Sequence, residues 1–337
     1  MKKAAFIGDG HQIARVYHGE TMASLRKELD FIADGTCLVK SDFDAVKEEL
    51  AEVEYLFSTW GMLALSAEEI RDYLPACRAV FYAAGSVQYF ARPFLESGIA
   101  VYSAWAANGV PVAEYTFAQI VLATKGFFQR LHKPGSGYVW TNRNAYVDFP
   151  GNYDITVGII GAGMIGKMVI ERLHRDLDGV RVVVFDPFLS DTAAAELRVE
   201  KCSLEELFAQ SDVISNHLAN NPQTVGMLNA RLFDRMKPNT TFINTGRGAQ
   251  IVEADMIAAL RADPSRAAVL DVTYPEPPRE DSPLYTLDNV YLTPHIAGSL
   301  GNEVRRMGEY MLSEYRHVAA GEKTKYGVTL KMLETMA

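Results

Sequence analysis

The stretch from Asp154 to Gly166 constrains this chain most: an apolar run (Ile155, Val157, Ile159, Ile160) breaks into Gly161-Ala162-Gly163-Met164-Ile165-Gly166. The pattern predicts a strand turning directly into a helix. The first glycine permits the tight turn, the second lets backbone approach a pyrophosphate, and the third lets the helix pack close to the strand. The phosphates would rest on the helix N-terminus. Beyond the glycines, Ile165, Met168, Val169, Leu173 and Leu177 recur at helical spacing, and Val180 to Phe185 makes a second apolar strand ending in Asp186. Asp186 stands where a dinucleotide fold puts the carboxylate that accepts hydrogen bonds from the adenosine ribose. The alternative is a surface Asp before a proline. Such a carboxylate repels a 2′-phosphate, and Pro187, Phe188 and Leu189 supply no arginine to neutralise one. NAD is therefore expected rather than NADP.

Four more strands are expected after it, near 213 to 216, 240 to 245, 267 to 272 and 290 to 293, and each ends in unusual residues. His217 follows the first, Gly246-Arg247-Gly248 the second, Asp271 ends the third, and Pro294-His295 follows the last. In a doubly wound sheet these ends share one edge, where ligands bind.

The first hundred residues repeat the alternation, with strands expected near 4 to 7, 36 to 39, 54 to 58, 79 to 83 and 100 to 103. Ser66 with Glu69 marks one helix start as a capping box. Gly8 and Gly10 lack a third glycine, since position 13 is Ile13, and read as a structural turn. Residues 104 to 152 read as a connector: a long apolar helix from Val112 to Leu131, a break at Pro134-Gly135-Ser136-Gly137, then a loop anchored by Tyr138, Trp140, Tyr146 and Phe149. From Asn302 to about Ala320, Val304, Met307, Met311, Tyr315 and Val318 recur at helical intervals, and this segment could return to the first domain.

At 337 residues the chain suits two domains. The expectation is α/β throughout: two doubly wound parallel-sheet domains, residues 1–107 plus 302–337, and residues 108–301. A formal net charge of -9 argues against a general nucleic-acid or anionic-membrane surface. Cys37, Cys77 and Cys202 are far apart and suggest buried free thiols rather than disulfides or a metal site. The apolar run Ala4 to Ile7 is too short for a signal-peptide core or a membrane span, so the cytoplasm is expected.

Hydride transfer needs a nicotinamide, a group that holds the substrate, and an acid/base. Arg247 has a planar charged fork suited to a carboxylate, between glycines that allow close backbone approach. The bland reading, a surface arginine in a turn, does not explain those glycines. His295 is the residue type that exchanges a proton near neutral pH, or else a satisfied core histidine. Glu276, on a loop stiffened by Pro275, Pro277 and Pro278, favours the first role if it reaches the imidazole.

These motifs together resemble the D-isomer-specific 2-hydroxyacid dehydrogenase family. The likeness rests on Val157 to Gly166; His217 with Thr224 and Met227 to Asn229; Lys237-Pro238; Ile243 to Gly248; Asp271-Val272 with Glu276-Pro277; and Pro294 to Gly298. In the first half it rests on Gly85 and Val112-Ala113-Glu114. The resemblance implies a flavodoxin-like substrate domain and a Rossmann NAD-binding domain with a cleft between them. It implies Arg247 as substrate-carboxylate binder and carbonyl polariser, His295 as acid/base and Glu276 as its partner. Gly161, Gly163, Met164, Ile165, Gly166, Asp186, His217, Leu218, Thr245, Gly246 and Gly298 would contact NAD, and Asp271 would hold the nicotinamide carboxamide. Backbone around Gly85, Ser86 and Val87 would meet the substrate carboxylate, with Trp60 shaping the pocket or serving as a core aromatic. Val87 stands where the family commonly has an acidic residue, and Ala219 to Asn221 replace a Pro-containing apolar run. A small 2-hydroxy or 2-oxo acid as substrate, a homodimer, no metal and no added regulatory domain are the corresponding expectations. An NAD-sensing, corepressor-like module is the rival. It predicts a partner groove or disordered tails, and the chain has no long polar tail or basic stretch.

Overall fold

The apolar runs pair into two sheets in the computed structural model, which describes residues 1–131 and 149–334. The first six strands in chain order are β1 (Lys2–Ile7), β2 (Leu29–Phe31), β3 (Cys37–Leu38), β4 (Tyr55–Ser58), β5 (Ala79–Tyr82) and β6 (Ala100–Ser103). The next seven are β7 (Thr156–Ile160), β8 (Arg181–Phe185), β9 (Glu200–Lys201), β10 (Val213–Asn216), β11 (Thr241–Asn244), β12 (Ala267–Leu270) and β13 (Val290–Leu292); β14 (Gly327–Val328) comes last. One sheet has the order β14-β6-β5-β4-β1-β2 with β3 also on β1, and the other β13-β12-β11-β10-β7-β8-β9. Apart from β14, antiparallel to β6, the pairs are parallel. Strand order reverses beside β1 in one sheet and beside β7 in the other, which makes both doubly wound.

Helices cover both faces, so β4, β5, β10, β11 and β12 are buried along their whole length. That burial explains their near-continuous apolar sequences. In the first sheet Ala5 and Ile7 face one core and Ala4 and Phe6 the other, the period of two expected of a strand.

The chain divides into two units, Met1–Gly109 with Ser299–Ala337, and Val110–Gly298. The divisions fall two and three residues from the expected boundaries. The helix Val304–Ala320 buries Val304, Met307, Met311 and Tyr315 in a core of the first unit. It lies so close to the N-terminal segment that a Cβ on Gly308 would come within 2.4 Å of the Val16 carbonyl oxygen.

Ser66 and Glu69 form the expected capping box. Gly8, at φ +121°, packs against the Gly61 carbonyl, and Asp9 caps the following helix, in keeping with a structural turn. The connector helix differs from expectation. It runs Trp105–Thr124 with Pro111 inside, and a second short helix Phe127–Arg130 follows. Gly126, at φ +69°, separates the two, because that left-handed conformation ends the helical run. Phe149 packs against Gly126 and beneath Arg130. The Pro134-to-Gly137 break and Tyr138, Trp140 and Tyr146 lie outside the described residues. β2, β9 and β14, two or three residues long, are strands not expected from the sequence.

Cys77 is buried, but Cys37 and Cys202 are only partly so, which corrects the expectation of three buried thiols. All three are free. Burial pushes Cys37 and Cys202 up to about 11 and Cys77 to about 12, which makes them poor nucleophiles at neutral pH. Among the described residues no cluster of His, Cys, Asp or Glu is suited to a metal. No described helix is long and apolar enough to cross a membrane.

Candidate active site

The turn after β7 has the form of a dinucleotide cradle. Gly161 sits at φ +89°, and a Cβ there would lie 3.0 Å from the His217 backbone. A Cβ on Gly166 would lie 2.1 Å from the Gly161 carbonyl oxygen, so this glycine lets helix and turn touch. Gly163 differs: nothing lies within 4 Å of its Cβ position. It caps the helix Met164–Asp176 at its open end, and the first intrahelical bond runs from the Lys167 N–H to the Gly163 carbonyl at 2.9 Å. The N–H groups of Met164, Ile165 and Gly166 are therefore left to a ligand, with the positive end of the helix dipole behind them.

Asp186 follows β8, and its two carboxylate oxygens accept the Ala162 and Phe188 N–H groups, each at 2.8 Å. These bonds aim it at the cradle and leave further lone pairs for ribose hydroxyls. The open Gly163 face, the free helix amides and this oriented carboxylate fit an NAD pyrophosphate and ribose.

Arg247 follows β11 and is half-buried. Its Nη1 donates to the Gly246 carbonyl at 2.7 Å, and among the described residues it forms no ion pair. Burial lowers its pKa, and the charge of nearby Glu276 opposes that shift. The flanking glycines have an origin the sequence did not show. A Cβ on Gly248 would lie 2.0 Å from the Thr273 carbonyl carbon, and one on Gly246 would meet the amide side chains of Gln250 and Asn216 at 2.9 and 3.0 Å. The close approach is to this chain's own groups.

Those groups form a buried network that sequence reasoning missed. The Asn216 amide donates to Asn244 Oδ1 at 2.9 Å and Gln250 Oε1 at 2.6 Å, and Gln250 Nε2 donates to the Leu218 and Ala219 carbonyls. The Arg247 N–H donates to Gln250 Oε1 at 3.2 Å, and the Arg247 carbonyl accepts from Asn244. All three amide side chains are 0% exposed. The signal was an asparagine ending each of two apolar strands, which requires buried partners.

His217 follows β10. Its Nε2 lies 3.0 Å from the Ser215 hydroxyl and its Nδ1 3.5 Å from that of Thr245. Burial lowers its pKa to about 4, so the ring is neutral at physiological pH.

His295 stands on a turn after β13, at φ +54°. Asp271 holds this turn. The Asp271 carbonyl accepts the His295 N–H at 3.0 Å, while its carboxylate accepts the Ile296 and Ala297 N–H groups at 2.8 Å each and the Thr293 hydroxyl at 2.6 Å. Asp271 is thus largely occupied in holding the turn, whatever it also offers a nicotinamide. His295 Nδ1 lies 2.6 Å from Glu276 Oε1, the contact that sequence could not show. Both side chains are partly exposed, at 49% and 41%, so the pair orients the ring more than it stabilises the fold. The bonds Tyr274–Pro275 and Glu276–Pro277 flanking Glu276 are cis. Gly298 ends this unit, one residue past Ala297.

In the first unit, the loop after β5 carries Gly85, Ser86 and Val87. Ser103 Oγ lies 2.8 Å from both the Ala84 and the Gly85 carbonyl oxygens. In trans peptides this turns the Gly85 and Ser86 N–H groups the opposite way, and neither has a partner among the described residues. Val87 is fully buried, and its carbonyl accepts the Phe90 and Ala91 N–H groups at 3.2 and 3.0 Å. Trp60 is partly buried and packs against both cores of this unit.

Residues 119–297 match the family model described as D-isomer specific 2-hydroxyacid dehydrogenase, NAD binding domain. D-3-phosphoglycerate dehydrogenase of Archaeoglobus fulgidus is 31% identical over 239 residues, 71% of this chain and 44% of that protein. The Mycobacterium tuberculosis protein of the same name is 38% identical over 167 residues, 50% of this chain and 31% of that one. The chain thus spans less than half the length of these relatives. The solved D-mandelate dehydrogenase of Rhodotorula graminis has the same fold, with a TM-score of 0.77 at 20% identity and 97% of each chain covered.

Proposed function

The chain belongs to the D-isomer specific 2-hydroxyacid dehydrogenase family, and from that premise we propose that it is an NAD-dependent oxidoreductase interconverting a 2-oxo acid and the D-2-hydroxy acid. One observation carries the reading: the unit with the glycine cradle also presents, at its strand ends, a half-buried guanidinium without an ion pair among the described residues and an imidazole held by a carboxylate. When bound, NAD(H) supplies or receives the hydride.

Arg247 would take the acid's carboxylate on its planar fork and polarise the adjacent carbonyl. Glu276 engages Nδ1 of His295, so the ring would act through Nε2. Protonated His295 gives that proton to the carbonyl oxygen as the 2-oxo acid is reduced, and the neutral ring takes it back from the hydroxyl in the reverse direction. The Gly85 and Ser86 amides of the first unit are donors of the kind a carboxylate accepts.

The test is NADH oxidation against a panel of 2-oxo acids from glyoxylate to aromatic ones, with NADPH in parallel. Turnover of at least one acid with a clear preference for NADH is expected; equal or better use of NADPH would overturn the role of Asp186. With that acid, His295→Ala is expected to lower kcat about 10²- to 10⁴-fold. Arg247→Lys, which loses the fork, should lower kcat/KM roughly 10- to 100-fold.

We also propose a cytoplasmic homodimer. Leu122, Phe127 and Leu131 of the connector, 36%, 40% and 44% exposed, are apolar side chains that a second copy would cover. Sedimentation of a monomer at micromolar concentration would refute it.

A further inference from the structure

Three side chains of the second unit, Tyr115, Thr293 and Asp271, form one hydrogen-bonded line that the proposed chemistry does not use. The phenol oxygen lies 2.9 Å from the Thr293 hydroxyl, and that hydroxyl 2.6 Å from Asp271 Oδ1.

Proton counting sets the directions. Both Asp271 oxygens already receive backbone N–H groups, from Ile296 and Ala297. Thr293 therefore donates its single proton to Oδ1 and can only accept from Tyr115, which makes the phenol the donor. The line ends on the turn that carries His295 in a left-handed conformation. A histidine is rarely found there unless its surroundings over-determine it.

We propose that Tyr115 is a positioning residue for His295: by donating to Thr293 it holds the Thr293–Asp271 contact, and with it the turn on which the imidazole stands. The inference rests on the reading of His295 as acid/base. Thr116, the next residue of the same helix, bonds Thr245 instead, at 3.3 Å, which provides a control.

Tyr115→Phe removes one oxygen and keeps the ring. In this variant the Ile296 and Ala297 amides should exchange hydrogen about tenfold faster or more, because their acceptor is less firmly held. Thr116→Val should leave those two amides unchanged. kcat for NADH-dependent reduction should fall roughly 5- to 50-fold in Tyr115→Phe, while KM and NADH affinity stay within about twofold, since a misplaced acid affects the proton transfer. Thr293→Ser should behave as the wild type and Thr293→Val as Tyr115→Phe. The double variant Tyr115→Phe with Thr293→Val should be no worse than Thr293→Val alone, because the groups act in series.

Unchanged exchange at Ile296 and Ala297 in Tyr115→Phe, or additive losses in the double variant, would overturn the proposal. Should the wild type reduce no 2-oxo acid, the functional reading fails, and the exchange measurement decides the positioning role by itself.

Discussion

Gly163 and Gly166 are three residues apart, and each must be glycine for a different reason. A Cβ at 166 would run into the Gly161 carbonyl oxygen, so Gly166→Ala should destabilise the protein by about 2–4 kcal/mol in urea unfolding. A Cβ at 163 would enter open space, where the pyrophosphate would lie. Gly163→Ala should therefore keep stability within about 1 kcal/mol yet weaken NADH binding at least tenfold, as read by nucleotide fluorescence. Equal effects of the two substitutions on stability would contradict this division. His217 makes a pH prediction. Its folded pKa of about 4 lies below the usual 6.5, so the unfolded chain binds the extra proton between those values. Its contribution is complete above pH 6.5 and is lost as pH falls towards 4, by up to about 3 kcal/mol. The slope of unfolding free energy against pH in that window should flatten in His217→Gln.

Among the elements, the strand ends decide the site. The glycine turn, the Arg247 turn and the His295 turn were all legible in sequence, because glycine, proline, arginine and histidine interrupt otherwise apolar runs. What holds the turns in place was not legible. Asn216, Asn244 and Gln250 come from separate elements, and their pairing depends on β10 and β11 lying side by side in register. Gln250→Ala would leave the Arg247 N–H and the Leu218 carbonyl without their side-chain partner and would take one partner each from the Asn216 amide and the Ala219 carbonyl, which keep Asn244 and Thr224. The expected cost is about 2–4 kcal/mol of stability. The variant should also raise KM for the oxo acid more than Kd for NADH; a change in NADH binding alone would contradict the assignment of the network to Arg247. The connector helix differed for a related reason. It begins at Trp105 rather than Val112 and carries Pro111 inside it, and a helix closed by surrounding contacts tolerates one missing N–H.

For the whole molecule, each unit has its own sheet and its own pair of cores. Ligand linkage should follow that division. NADH at about 100 times its Kd should stabilise the unit that binds it by about 2.7 kcal/mol. Slowed amide exchange on NADH addition should concentrate in Val110–Gly298; uniform slowing throughout both units would argue against a cofactor site built from the second unit alone. By itself, the sequence determined the two α/β sheets and the glycine turn with the carboxylate after the next strand, and it singled out Arg247, Glu276 and His295 as candidates. Each of these follows from local periodicity or from a residue type that breaks it. The tertiary structure alone decided that Glu276 meets the His295 ring, that Asp271 clamps the turn beneath it, and that three buried amides fasten Arg247. Such contacts join residues distant in the chain, and no local preference encodes which buried polar groups will satisfy one another.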